Sequence, residues 1–283
     1  MAIVRGRSRS RALKDIKDEV VRLRDGGYKE IVLTGIQLGA YGKDLSPSPE
    51  SEKSQPSLLG VINSCADVEG IERIRLSSIE LTDLDKPLRK AFQVNTKLCP
   101  HLHIPLQSGD NEILMRMNRR YTREAYRDIL LELKEKVPDL ALSVDVMAGF
   151  PGETEEQFQN TMELLKLVEP LKSHVFPYSR RQGTRAAEWE NVPLKVVRDR
   201  VRRLIQLTDG ISHEVRRRYL GRSFAVLAET KDKRTGLWEG HSANYLKVFF
   251  EYPGDVQGCI ISLRLDELFR DGFLGTFEKK RRT

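Results

Sequence analysis

Cysteine is scarce in this chain. Three occur in 283 residues, Cys65, Cys99 and Cys259. An odd number at such wide spacing makes no disulfide framework and fits a reducing compartment. Long apolar runs are also missing. No stretch approaches the roughly 20 residues that span a bilayer, and the start lacks the charged-then-apolar layout of a secretory signal. Together these absences lead us to expect a cytoplasmic protein without a membrane partner. Histidine numbers only five, which leaves few side chains for imidazole chemistry.

What is present is an ordinary globular composition, 39% hydrophobic and 31% charged, with a formal charge of +7 and a pI near 9.3. That is enough apolar material for one large domain and one small one, and the excess of base suits a polyanionic partner. Arg5, Arg7, Arg9 and Arg11 stand at every second position in VRGRSRSR. If extended, they share one face and suit successive phosphates; the alternative is a solvated, frayed end.

Residues 101–120, HLHIPLQSGDNEILMRMNRR, carry the pattern that organises the chain. An apolar run ends abruptly in Gln107, Ser108, Gly109 and Asp110, and a helical period begins at once. The same strand, polar turn and helix recur from EIVLTGIQ (30–37), RIRLSSIE (73–80), ALSVDVMAGFPGE (141–153) and SHVFPYSRRQGT (173–184). Alternating units of this kind predict a parallel sheet. Five strands are each followed by a helix, and the first helix has no strand before it, so we expect a partial β/α barrel lacking its first strand. The exposed edge of such a barrel invites self-association. Thr154 and Gln157 read as a capping box after the turn Gly149-Phe150-Pro151-Gly152, whose amides suit an anion. The stretch SPSPESEKSQPS (46–57) reads as loop.

In β/α barrels the active groups gather where strands end. Those positions here are Gly35, Gln37, Ser78, Glu80, Gln107, Ser108, Asp145, Gly149, Tyr178 and Ser179. Amides, hydroxyls and glycines with few acids suit a polar organic cofactor better than metal hydrolysis. His101 and His103 stand at metal-ligand spacing, as a barrel hydrolase would need. They begin their strand, away from Gln107 and Ser108, so they are expected to be structural. His174, His213 and His241 have no ligand-spaced partners.

Beyond residue 220 the rhythm changes to short strands separated by turns, which predicts a small all-β barrel over 221–283 after the β/α domain of 1–220. Its aromatics, Trp238 and Tyr245 among them, exceed what so small a core needs, and some suit stacking on unpaired bases. The barrel itself is not basic: between Arg222 and Glu278, seven Lys or Arg stand against nine Asp or Glu.

VRGRSRSR, EIVLTGIQLGAYG, RIRLSSIE, HLHIPLQSGDNEILMRMNRRYTREAY, DVMAGFPGETEEQF and FPYSRRQGT, in this order and spacing, resemble the radical S-adenosylmethionine methylthiotransferases. The closing WEGHSANYLKV resembles the RNA-gripping TRAM domain of that family. Within it, the second-strand motif and the arginine-rich opening are most similar to the branch that methylthiolates threonylcarbamoyl-adenosine beside the tRNA anticodon. Sibling branches act on isopentenyl-adenosine in tRNA or on a ribosomal protein.

The resemblance implies reductive cleavage of S-adenosylmethionine by a [4Fe-4S] cluster, hydrogen abstraction from adenine C2, and sulfur insertion. It places Gly35 and Gln37 near the methionine amino group, and assigns Ser78 and Glu80 to the same cofactor site. Gln107 and Ser108 fall near the ribose, and Asp145 and Gly149 near the adenine. It implies tRNA as partner, with Arg5, Arg7, Arg9, Arg11, Trp238, His241 and Tyr245 on the RNA side. The family's cluster is held by three thiolates in C-x-x-x-C-x-x-C, ligands that iron–sulfur centres require. None of this chain's cysteines is so spaced. The opening Met1-Ala2-Ile3-Val4-Arg5 looks like a start just after the third ligand, so the expectation is a truncated methylthiotransferase, inactive alone, or a non-catalytic tRNA-binding protein.

Overall fold

The computed structural model describes residues 8–45 and 56–277. The chain packs as two compact units, one of residues 1–101 with 220–283 and the other of residues 102–219.

The first unit opens with α1 (Leu13–Asp25), whose stripe of Ile16, Val20 and Leu23 packs inward and which ends at Gly26 and Gly27. β1 (Glu30–Leu33) follows, then α2 (Leu58–Ala66), capped by the Ser57 hydroxyl. β2 (Arg73–Leu76) pairs with β1 in parallel, Ile31 opposite Ile74. α3 (Lys86–Val94) starts at Asp85, whose carboxylate accepts from the Leu88 amide, with Pro87 in the first turn. The segment after α3 returns to β2 through a bridge between Leu98 and Ile74. Every described strand-to-helix step here is the parallel β/α unit that the sequence period predicts.

The same unit contains the small barrel: β6 (Ser223–Lys231), β7 (Trp238–Ser242), β8 (Lys247–Phe250), β9 (Ile260–Phe269) and β10 (Gly272–Phe277), closed in the order β10-β8-β7-β6-β9. Closure removes the free edges that an open sheet of five short strands would expose. Val226, Ala228, Trp238, Val248, Phe250, Leu263, Leu265 and Phe273 fill it. Gly240 is obligatory, because a Cβ there would sit 1.9 Å from the Leu227 carbonyl oxygen.

The barrel is tied to β1 and β2 by charge as well as packing. Arg73 and Arg75 are 6% and 4% exposed. Arg73 donates to the carbonyls of Ala225 and His241, and Arg75 to those of Ser242 and Ala243. Both guanidinium groups share the Glu30 carboxylate, Arg75 at 2.7 Å and Arg73 at 3.5 Å. Burying two cations costs heavily unless every donor is matched, and here carbonyls and carboxylate surround them.

The second unit is a three-stranded parallel sheet in the order β3-β4-β5, with β3 (His101–His103), β4 (Ala141–Ala148) and β5 (Lys172–Pro177). The chain stays against β4 past β3: the Ile104 amide donates to Ser143, and those of Leu106 and Gln107 donate to Asp145. It leaves at Gln107, which takes φ 64°. Asp110 then caps α4 (Asn111–Arg116) by accepting from the Glu112 and Ile113 amides. α5 (Arg123–Lys136) begins at Thr122, and α6 (Glu155–Val168) begins in the Thr154–Gln157 capping box expected from sequence. α7 (Leu194–Arg217) buries Val197, Arg200, Leu204, Thr208 and Val215, an i, i+3, i+4 stripe on an otherwise basic helix.

Candidate functional site

The first unit holds a cavity of about 970 Å³ between α1 and β1. Ile16, Val20 and Leu23 wall one side; Val32, Thr34, Gly35, Ile36 and Gln37 line the other. Val32 and Ile36 are more than half exposed although apolar. A volume near the top of the usual range of about 300–1,000 Å³ for small-molecule sites, with an apolar wall and few polar groups, suits an organic cofactor. Gly35 and Gln37 therefore stand where the sequence places cofactor contacts, and Ser78 and Glu80 are half-buried in the same unit.

Arg9 and Arg11 also line this cavity. Their segment is anchored, not frayed. The Ser10 amide donates to Asp44 at 2.8 Å, the Tyr41 hydroxyl donates to the Arg11 carbonyl at 2.9 Å, and the Arg11 guanidinium pairs with Glu19 at 3.0 Å. The hydrogen bond from Arg11, with the nearby charge of Arg22, holds the Glu19 carboxyl below its usual range. Arg5 and Arg7 lie outside the described residues.

In the second unit the expected residues part ways. Gln107 is half-buried at the end of the ladder. Ser108 is fully buried, with its hydroxyl 3.4 Å from that of Thr161 and accepting from the Asp110 amide. It fastens the turn to α6 and has no exposed surface, which corrects its placement beside a ribose. Gly149 takes φ 77°, and a Cβ there would come within 2.5 Å of Val197, so glycine is required for α7 to pack. Its amide donates to the Glu153 carboxylate at 2.8 Å, and Arg200 donates to the same oxygen at 2.9 Å. The anion that the glycine turn suits is thus supplied by the chain itself. Burial pushes the Glu153 carboxyl up, against the pull of the Gly149 amide and Arg200.

Asp145 lies in mid-strand, on the face opposite the buried Val144 and Val146. Its Oδ1 is 3.0 Å from His103 Nε2. The β4–β5 register sets Asp145 directly opposite His174. His103, Asp145 and His174 thus occupy three neighbouring strands, with one ligand atom from each within 4.8 Å of the others. Sequence spacing pointed to His101 as the partner of His103 and left His174 alone. The structure corrects both points, because cross-strand register, which spacing cannot show, decides which residues meet. Burial is the largest cause lowering the His174 pKa, with Asp145 opposing it and Lys172 and His103 adding to it.

The aromatic positions of the small barrel also need correction. Trp238 is 5% exposed and its indole nitrogen is buried, so it belongs to the core and cannot stack on a base. Tyr245 sits before β8 in a turn at φ 68°, not in a strand. Its ring stacks on both His101 and His241 at centroid distances of 4.6 Å, and the Arg75 guanidinium lies 4.8 Å from its centre. His241 also pairs with Glu229 at 2.9 Å.

Among the described residues no set of cysteines converges; the one group of three metal-ligating side chains is His103, Asp145 and His174. Cys65 and Cys99 are buried, and desolvation pushes both thiols up to about 11, away from the thiolate that a cluster needs. Cys259 is exposed. These residues do not fit an iron–sulfur cluster.

Residues 2–165 match the radical SAM superfamily. The chain belongs to that superfamily. Its radical SAM relatives include the threonylcarbamoyladenosine tRNA methylthiotransferase MtaB of Bacillus subtilis, 40% identical over 92% of this chain and 57% of that protein. The tRNA-2-methylthio-N(6)-dimethylallyladenosine synthase of Desulforamulus reducens is 38% identical over 93% of this chain and 56% of that protein. The chain thus spans little more than half the length of these relatives. Among solved structures, the radical SAM enzyme coproporphyrinogen III oxidase of Escherichia coli aligns over 70% of this chain and 45% of that one, with TM-score 0.49 and 15% identity. The methylthiotransferase resemblance read from the sequence motifs is the one that the relatives carry.

Proposed function

We propose that this chain forms the β/α portion and the RNA-contacting small barrel of a tRNA methylthiotransferase, acting on threonylcarbamoyl-adenosine beside the anticodon. The observation that carries this reading is the pair of tRNA-modifying relatives matched over more than nine-tenths of the chain. The second-strand motif Thr34-Gly35-Ile36-Gln37-Leu38-Gly39 supports the threonylcarbamoyl branch over its isopentenyl sibling.

S-adenosylmethionine, when bound in such a protein, supplies the methyl group and the precursor of the abstracting radical. The chain's own part is binding and orientation. Gly35 and Gln37 would hold the cofactor from the α1–β1 cavity, with Ser78 and Glu80 at the next strand end. Gln107 and Asp145 would contribute from the second unit. Arg9 and Arg11 would meet phosphates, and the small barrel would act as a TRAM-like RNA grip through its exposed surface and not through Trp238. Because the cysteines present do not fit a cluster, the chain as written binds but does not cleave the cofactor.

Purified chain and an anticodon stem-loop test this directly. Binding that weakens steeply as salt rises is expected, since each phosphate neutralised releases counterions. S-adenosylmethionine cleavage by the purified chain under reducing conditions would contradict the binding-only role.

A further inference from the structure

We propose that His103, Asp145 and His174 form a binding site for one divalent first-row transition metal ion, independent of any iron–sulfur cluster and of the methylthiotransferase reading. Two imidazoles and one carboxylate are a ligand set that such ions accept, and three protein ligands leave coordination positions open. Ligand atoms bonded at about 2.1 Å lie about 3 Å apart when adjacent around an octahedral ion. The edge between His103 and Asp145 already has that length, 3.0 Å. All three ligand atoms fall within 4.8 Å, so a rotation of the His174 ring suffices to close the third edge.

Three features of the surroundings support a ligand role over simple packing. Each residue comes from a different strand of one sheet, and the β3-β4-β5 ladder fixes the spacing of their backbones. The His103 and Asp145 side chains are 25% and 22% exposed, so an ion can enter and water can complete its shell. The His174 imidazole makes no hydrogen bond among the described residues; its ring contacts are only with His103 and Phe176, at centroid distances of 5.6 and 6.4 Å. A carboxylate placed between two imidazoles, one of them without a hydrogen bond, is a donor set lacking its acceptor. The open positions would polarise a water or a substrate oxygen or nitrogen.

The test uses the purified chain, stripped with chelator and titrated with Co²⁺, whose visible ligand-field bands report nitrogen and oxygen coordination. Saturation at one ion per chain is expected, with Zn²⁺ displacing the signal. His174→Ala and Asp145→Asn should each abolish the bands, while His213→Ala, on an exposed histidine outside the group, should keep them. Circular dichroism melts of the same variants show that the loss is not unfolding. Bands that survive both variants, an aqueous Co²⁺ spectrum in the unaltered chain, or an intense near-ultraviolet thiolate band reporting a cysteine site would each overturn the proposal.

Discussion

Two polar groupings, one in each unit, solve opposite problems. Around Glu30 the charges are closed: Arg73 and Arg75 are buried, every neighbour is a carbonyl or a carboxylate, and the pairs lock the small barrel to β1 and β2. Around Asp145 the charges are open: His103 and Asp145 share one contact, His174 adds none, and all three are partly exposed. A saturated cluster has spent its donors on the fold. An unsaturated one on a rigid sheet retains capacity for a ligand, so saturation, more than burial or charge, separates structural from chemical roles here.

The largest effect expected from this contrast is at Glu30. Glu30→Ala removes the one anion shared by two buried guanidinium groups and should cost about 4 kcal/mol, the scale for breaking a buried ion pair, read by urea unfolding. A loss under about 1 kcal/mol would break the claim that the cluster is closed. Arg200→Met extends the test to the second unit, because it leaves the buried Glu153 carboxylate with only the Gly149 amide. A loss of about 3 kcal/mol is expected in the same assay.

At the open cluster the effect on stability should be small. Asp145→Asn should shift unfolding by about 0.5 kcal/mol or less, as for a partly exposed polar substitution, while removing metal binding. A large destabilisation there would place Asp145 with the structural clusters. The smallest effect concerns Asp232, in the turn between β6 and β7. The Arg234 amide and the Arg270 guanidinium lower its pKa from 3.8 to about 2. A depressed folded pKa contributes stability above the unfolded value that is lost as pH falls from about 4 to about 2. Asp232→Asn should therefore lessen the acid sensitivity of the melt in that window and leave neutral pH nearly unchanged.

The elements were largely legible in the sequence because each unit obeys a local rule. Ser57, Asp85, Asp110, Thr122 and Thr154 cap the helices that follow them, and the short strands past residue 220 close into a barrel. The site was less legible, because its residues meet through register and packing. His174 reaches Asp145 only once β4 and β5 align, and Ser108 turns inward only because Thr161 on α6 awaits it. Trp238 misled for a related reason: composition counts aromatics but not which side of a barrel strand they occupy. Arg73 and Arg75 looked like surface charge on a short strand, and nothing local announced that barrel carbonyls lay opposite them.

The most direct test of the functional reading is mass analysis of the modified nucleosides in tRNA from cells lacking this gene. The account predicts loss of the 2-methylthio group from threonylcarbamoyl-adenosine and accumulation of the unthiolated nucleoside. Unchanged methylthiolation of that nucleoside would contradict it, and a loss confined to isopentenyl-adenosine would move the chain to the sibling branch.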